Sequence, residues 1–395
     1  MKKKQMFSQI LFILLGLGCG VLAGIVIGKT ANLNDAADDG FLLFMLRYVG
    51  SLLLIALAFP VQIICHEGGH LLFGLLSGYR FSSFRVGSLM ITKDAAGKLV
   101  RKKLSLAGTG GQCLMAPPYT ERDENGMPVY PGDDYPCVLY NLGGVLMNLI
   151  LAVLFFLVWL IIRNIPAVRF LSIFSLGMII IGVYQALSNG IPIATPQIQN
   201  DGANIRTLLQ SPTAKRAFWI QMQANSVSHE GIRLSEMPED WFTMPAEEDM
   251  GDALTASIAF FRENRLIDAG AYDEAADLIE ELLQNTACAI PGIYRNMLVM
   301  DKATLLLIKD ADADVLFLEE KQQKAFMAQM KNFPSTLRTE YLLALSDGQF
   351  SKAKKIRDHF EKIAESYPNP VELVAERTLM DAGKASIIPS ASAPA

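Results

Sequence analysis

His66-Glu67-Gly68-Gly69-His70 gathers two imidazoles and a carboxylate within five residues of an apolar stretch. Residues four apart on a helix lie on one face about one turn apart, so both imidazoles can reach one metal ion. A glutamate directly after the first histidine stands where zinc peptidases carry their general base. Residues 52–65 before the motif and 71–76 after it hold no charged side chain. A carboxylate placed at that depth in a membrane costs about 2.5–3.5 kcal/mol, so Glu67 marks a functional site.

A catalytic zinc site needs three protein ligands and one open position. His66 and His70 supply two. The chain has four histidines, and the other two, His229 and His359, lie far downstream in the polar half, where we expect them to be solvent-exposed. A carboxylate is the natural third ligand. Asp201, within Asn200-Asp201-Gly202, stands just after the last long apolar run and is preceded by Ser188-Asn189-Gly190-Ile191-Pro192. If the chain returns into the bundle there, Asp201 can face the two histidines. The competing readings are an Asn-Asp-Gly turn, or an N-cap for a helix starting near Ala203. Two histidines, one carboxylate and an open position suit Zn2+.

The elements that must position these groups follow from an uneven composition. Of 395 residues, 51% are hydrophobic; nearly all long uncharged runs precede Gly190, and most acidic residues follow it. A membrane part followed by a soluble part is implied. The net charge of -5 and the lack of a basic stripe with interleaved aromatics argue against a nucleic-acid partner. Cys19, Cys65, Cys113, Cys137 and Cys288 have no CxxC spacing and form neither a disulfide framework nor a cysteine zinc site.

Lys2-Lys3-Lys4 precedes an apolar run over residues 7–27, long enough for an uncleaved first transmembrane helix. Further spans are expected at 48–76, 138–162 and 170–187. The N-terminal lysines and Arg80, Arg85, Lys98, Arg101, Lys102 and Lys103 mark the cytoplasmic side, and only Arg163 and Arg169 argue mildly against it. Four spans then put both termini in the cytosol of a multi-pass cell-membrane protein. Between the second and third spans, 81–86 and 88–92 are strand-forming runs, with a hairpin turn at Asp94-Ala95-Ala96-Gly97 before Leu99. An edge strand there offers a place for an extended substrate to add a strand.

After Asn204 the chain reads as amphipathic helices. Gly270-Ala271-Tyr272-Asp273-Glu274-Ala275 and Gly348-Gln349-Phe350-Ser351-Lys352-Ala353 share Gly-x-aromatic-x-x-Ala spacing, which resembles the second helix of a tetratricopeptide repeat. The fold class is therefore mainly α: a polytopic helical membrane bundle with a small β-hairpin region, then a soluble helical repeat-like domain. The expected divisions are 1–40 for the first helix and an acidic loop, and 41–210 for the core with its membrane-associated β loop at 78–137. A cytosolic repeat-like domain at 211–384 and a disordered tail at 385–395 complete them.

Three segments together resemble the site-2 protease family of intramembrane zinc metalloproteases: the HEGGH helix, Gly143-Gly144-Val145-Leu146-Met147-Asn148, and Asn189-x-x-Pro192 with Asn200-Asp201-Gly202. The likeness covers residues 40–210. It implies Asp201 as third metal ligand. It also implies peptide hydrolysis, with Glu67 moving the proton and Asn148 donating a hydrogen bond to substrate or oxyanion. Val145 stands where the family's Gly-Pro-x-x-Asn segment has proline. The implied partners are membrane-anchored protein substrates, the lipid bilayer and a cytosolic protein held by the repeats. Two other readings stay open: a non-proteolytic scaffold with a structural or vestigial metal, which the intact Glu67 disfavours, and a metal-dependent transporter, which lacks further intramembrane charges.

Overall fold

The computed structural model describes the chain except residues 1, 31–39, 94–96, 105, 107–108, 119–120, 133, 194–198 and 389–395. The chain forms two compact units, each made of two separate pieces of sequence.

The first unit holds Met1–Tyr79 and Pro136–Gln210. It contains α1 (Lys2–Thr30), α2 (Phe41–Leu76), α3 (Cys137–Ile162), α4 (Arg169–Gly190) and α5 (Asp201–Gln210). Among the described residues, Phe41–Leu76, Cys137–Ile162 and Pro166–Gly190 are long and apolar enough to cross a membrane, and α1 adds a shorter apolar stretch, Ile13–Ile25. The sequence placed the second span at 48–76; α2 starts earlier, at Phe41, and continues as one helix through Pro60. Leu42, Leu53 and Leu57 on α2 and Val153, Leu157 and Ile161 on α3 are exposed. The buried faces of α2, α3 and α4 are rich in small and polar residues: Ser51, Gln62, His66, Gly69 and His70 on α2, Asn141, Gly143, Gly144 and Asn148 on α3, and Ser175, Gly177, Gly182 and Gln185 on α4. Apolar side chains outside and polar ones inside is the pattern of a bundle solvated by lipid. At the end of α3, the Arg163 guanidinium lies 5.3 Å over the Trp159 ring, an aromatic and cationic pair suited to a membrane interface.

The second unit holds Arg80–Tyr135 and Ser211–Ala395. Its sheet has β1 (Arg80–Val86), β2 (Leu89–Lys93), β3 (Leu99–Lys103) and β4 (Gly111–Ala116) in the antiparallel order β3-β2-β1-β4. The first two strands match the two expected runs, with Val86 opposite Leu89 and Gly87 at φ 57 in the turn between them. Three residues of the expected hairpin turn, 94–96, lie outside the described residues. The helices are α6 (Pro212–His229), α7 (Ala253–Asp268), α8 (Tyr272–Gln284), α9 (Gly292–Lys309), α10 (Lys321–Gln329), α11 (Pro334–Ser346), α12 (Phe350–Ala364) and α13 (Glu372–Ile387). Ser211 caps α6 by accepting from Ala214 N at 3.0 Å, and Asp252 caps α7 by accepting from Thr255 N at 2.9 Å. α13 carries helix three residues into the segment expected to be a tail.

The sheet is grouped with these helices, a relation the sequence analysis did not draw. Leu104 and Leu106, just after β3, pack into the apolar clusters of α9–α13. Tyr130 meets Trp219 edge-on, with ring centroids 5.4 Å apart.

The two similar segments are built alike. Gly270 (φ 78) ends α7 and Gly348 (φ 69) ends α11, both in the left-handed region that favours glycine. Ala275 and Ala353, one turn into the following helices, are both fully packed, where a larger side chain would part the helical pair.

A charged cluster crosses the interior of this unit. Arg338 on α11 bonds to Asp301 on α9, to Glu376 on α13 at 2.9 Å and to Thr304 Oγ1 at 3.1 Å, while Glu263 on α7 is fully buried beside them. Burial pushes the carboxyls of Glu263 and Asp301 up, and lifts Glu376 to about 7 against the pull of Arg338. Folding therefore favours the protonated Glu376. Its stabilisation is complete below the ordinary value of 4.5 and is lost as pH rises through about 7. The unfolding midpoint of the full chain, followed by circular dichroism, is expected to fall as pH is raised from about 6 to about 8, and Glu376→Gln to flatten that slope. Arg338→Met strands the remaining carboxylates and is expected to cost ~3–5 kcal/mol.

Candidate metal centre

The centre lies within the first unit, where α2, α3 and the start of α5 meet. Glycines make the meeting possible. A Cβ on Gly69 would lie 2.3 Å from the Gly143 carbonyl oxygen, and one on Gly143 would lie 2.6 Å from that of Gly69, so α2 and α3 touch backbone to backbone. Gly68 faces open space. Of the motif's two glycines, Gly69 is the one that meets the neighbouring helix.

The contact presents one face of α3 to the histidines. Tyr140, Gly144 and Asn148 follow one another at intervals of four residues. The Tyr140 carbonyl oxygen is 2.8 Å from His70 Nδ1, and Asn148 Oδ1 is 2.6 Å from His66 Nδ1. Between them, Gly144 leaves a hollow beside the ring nitrogens. A Cβ there would lie 2.5 Å from His66 Nε2 and 2.6 Å from His70 Nε2.

Fixed backbone carbonyls determine the tautomers. Tyr140 O can only accept, so His70 donates from Nδ1. Gln62 Nε2 donates to Met178 O at 2.7 Å, which leaves Gln62 Oε1 to accept from Asn148 Nδ2 at 2.7 Å. Asn148 Nδ2 also faces Gln62 O and Gln185 Oε1, each at 3.3 Å. Asn148 Oδ1 is then the acceptor for His66 Nδ1–H. Both Nε2 atoms are thus left with lone pairs directed inward, as metal ligation by neutral imidazole requires.

Asp201 completes the set. Its Oδ2 lies 3.1 Å from His66 Nε2 and 3.5 Å from His70 Nε2, and the two Nε2 atoms are 3.2 Å apart. Asp201 Oδ2 is buried without hydrogen-bond geometry to any donor. Three electron-rich atoms this close repel one another unless a cation lies among them. Among the described residues, His66, His70 and Asp201 are the group that could hold a metal ion, their ligand atoms lying within 4.8 Å of one another.

Position and resemblance favoured Asp201 as third ligand over a turn or an N-cap residue. Asn200 takes the capping role: its Oδ1 accepts from Ala203 N at 3.0 Å and Ile193 N at 3.1 Å, and its Nδ2 donates to Ser188 O and Ile191 O, each at 2.7 Å. Gly202 lets α5 approach the end of α4, since a Cβ there would lie 2.1 Å from Gly190 O. Asp201 is thereby free to turn toward the histidines. Asn189 bonds back to Gln185 O at 3.1 Å, within its own helix.

Glu67, which lies between the two histidines in sequence, is buried. Asn148 was expected to face substrate; its carboxamide instead lies fully buried against His66 and Gln62. Gln62 and Gln185 were not singled out in the sequence, although a glutamine inside an apolar span is itself a signal. His359 is exposed as expected, whereas His229 is half-buried, with Nδ1 2.8 Å from Asn225 O.

Apolar helices around a two-histidine, one-carboxylate cluster define a membrane protein with a candidate metallohydrolase centre. Residues 54–376 match Peptidase family M50, so the chain belongs to that family, the site-2 protease family of metallopeptidases. No curated protein and no solved structure gives a match.

Asn148→Ala is expected to weaken metal binding about 10–100-fold, because it frees the His66 ring and its tautomer. Gly144→Ala is expected to lower bound metal as far as His66→Ala does. Both are checked by competition with a chromophoric chelator on detergent-purified protein.

Proposed function

We propose that this chain is an intramembrane zinc endopeptidase that hydrolyses peptide bonds of membrane-anchored proteins, as in regulated intramembrane proteolysis. The supporting observation is the convergence of His66 Nε2, His70 Nε2 and Asp201 Oδ2 next to a buried Glu67 inside a helical bundle. His66, His70 and Asp201 would hold the zinc, which when bound would supply Lewis-acid polarisation of the scissile carbonyl and a more acidic water.

The rest of the chemistry falls to the chain. Glu67 takes a proton from the attacking water as oxygen bonds to the carbonyl carbon. It then gives the proton to the amine nitrogen as the C–N bond breaks, so that water is added across the peptide bond. Asn148 holds His66 in one tautomer and orientation, and Tyr140 O does the same for His70. Asn200 and Gly202 fix the turn that aims Asp201.

A substrate helix hides its carbonyls in its own hydrogen bonds, so substrates are membrane proteins that unwind locally. β3 ends the sheet and, among the described residues, pairs only with β2, which leaves an edge for an extended segment to join. The protein sits in the cell membrane with several spans and both termini in the cytosol, as the basic residues near its N-terminus and after α2 direct. The helical repeat-like domain then recruits or gates substrates from the cytosolic side.

Purified protein is expected to contain about one zinc per chain, and His66→Ala and Asp201→Ala to lose it. Glu67→Gln is expected to keep the metal and lose peptide hydrolysis by about 10²–10⁴-fold. Metal analysis and cleavage of a panel of reconstituted single-span substrates measure the two effects separately. A metal-free, well-folded parent after zinc-replete purification overturns the proposal.

A further inference from the structure

Helix α4 gives no ligand to the metal centre, yet one of its faces meets the polar interior behind the histidines. Met178, Gly182 and Gln185 are all buried and fall on that face, four and then three residues apart. Glycine lets α4 come close to α2. A Cβ on Gly177 would lie 3.1 Å from Ile55 Cα, and one on Gly182 would lie 2.6 Å from Gln62 Nε2 and 3.2 Å from Asn148 O. Two glutamines are buried at this meeting, Gln62 of α2 and Gln185 of α4. Their side-chain hydrogen bonds run to Met178 O and Asn148, and none runs to His66, His70 or Asp201.

The Asn148 carboxamide has a donor end and an acceptor end of nearly the same shape, so packing alone does not decide which way it points. Its surroundings do. The nitrogen faces three acceptor oxygens: Gln62 Oε1 at 2.7 Å, and Gln62 O and Gln185 Oε1 at 3.3 Å each. Turning the group over would set a buried oxygen among oxygens and a donor against His66 Nδ1. The His66 proton would then be driven to Nε2, the atom that must offer its lone pair to a metal. Gln62 cannot turn over in its place, because its Nε2 donates to Met178 O of α4 at 2.7 Å.

We infer that Gln62 and Gln185 are positioning residues for metal binding, acting through Asn148, so that α4 sets the affinity of a centre to which it supplies no ligand. The rival role is interhelical glue, since polar side chains join helices in lipid whatever else they touch. The two roles differ in one respect. Glue matters whether or not Asn148 is present, whereas a positioning effect disappears with the group it positions. The role rests on the metal-binding reading under the proposed function, and the test separates the failure of one from the failure of the other.

The measurement is the zinc affinity of the detergent-purified full chain, by competition with a chromophoric chelator, with the thermal unfolding midpoint as a check on folding. Methionine replaces glutamine because it is unbranched and of similar length. Gln62→Met with Gln185→Met is expected to raise the zinc Kd about tenfold or more, toward the loss set for Asn148→Ala. Of the single changes, Gln62→Met removes the 2.7 Å bond and is expected to cost more than Gln185→Met, which removes one of 3.3 Å. In an Asn148→Ala background the same pair is expected to change Kd by less than about twofold. Ser175→Ala is the control on α4: Ser175 is buried but bonds within its own helix to Leu171 O at 2.7 Å, and its loss is expected to leave Kd within about twofold. Unchanged affinity in the glutamine pair overturns the inference. So do equal losses with and without Asn148, which would assign the glutamines to helix association. If the pair does not fold, Gln62→Met alone decides in the same cycle. A parent that binds no zinc overturns this inference together with the proposed function, whereas a parent that binds zinc indifferently to the glutamines overturns this inference alone.

Discussion

The centre depends on the distance between two helices. Gly69 and Gly143 bring the backbones of α2 and α3 together more closely than any side chain would allow. Only at that separation do Tyr140 O, the Gly144 hollow and Asn148 Oδ1 fall opposite the two imidazoles in turn. Packing in lipid gains little from burying apolar surface, so close backbone contact and interhelical hydrogen bonds carry the association. The interaction that holds the bundle together here also shapes the space beside the two histidines.

The polar interior is anchored to groups that cannot rotate. From the Met178 carbonyl, hydrogen bonds run through Gln62 and Asn148 to His66, drawing on α4, α2 and α3 in turn. Every side-chain amide in that series has its orientation decided by a backbone partner. Gly182 provides the room, since a Cβ there would lie 2.6 Å from Gln62 Nε2. In a medium without water, an unsatisfied amide costs several kcal/mol, so misplacing one member disturbs all of them.

Much of the centre was legible in the sequence because its signal is local. His66, Glu67 and His70 share one helix, and a charged residue in an apolar run is conspicuous wherever it occurs. Asp201 was singled out through position and resemblance, but its turn toward the histidines depends on Asn200 taking the capping role, which spacing alone does not decide. The partner of Asn148 was hidden for another reason. It follows from the interhelical distance, and nothing in Gly143-Gly144-Val145-Leu146-Met147-Asn148 states which residue of α2 lies opposite. Three of the four expected spans fall on helices long and apolar enough to cross a membrane, with bounds readable to within a few residues except at the start of α2, because apolar length is additive along the chain. The grouping of the sheet with the C-terminal helices was not readable, since Leu104 and Leu106 meet partners about two hundred residues away.

That long-range grouping has a consequence for how the protein is made. The sheet is synthesised between α2 and α3, yet the helices that cover Leu104 and Leu106 emerge from the ribosome only after all the membrane helices have done so. During that interval the half-built second unit displays apolar side chains with nothing of its own to cover them, the kind of transient surface that invites aggregation. The order of translation thus makes the last helices of the chain the guardians of a segment made near its beginning. A ribosome that stalls after α5 would release a protein with every residue of its centre present and its sheet still bare.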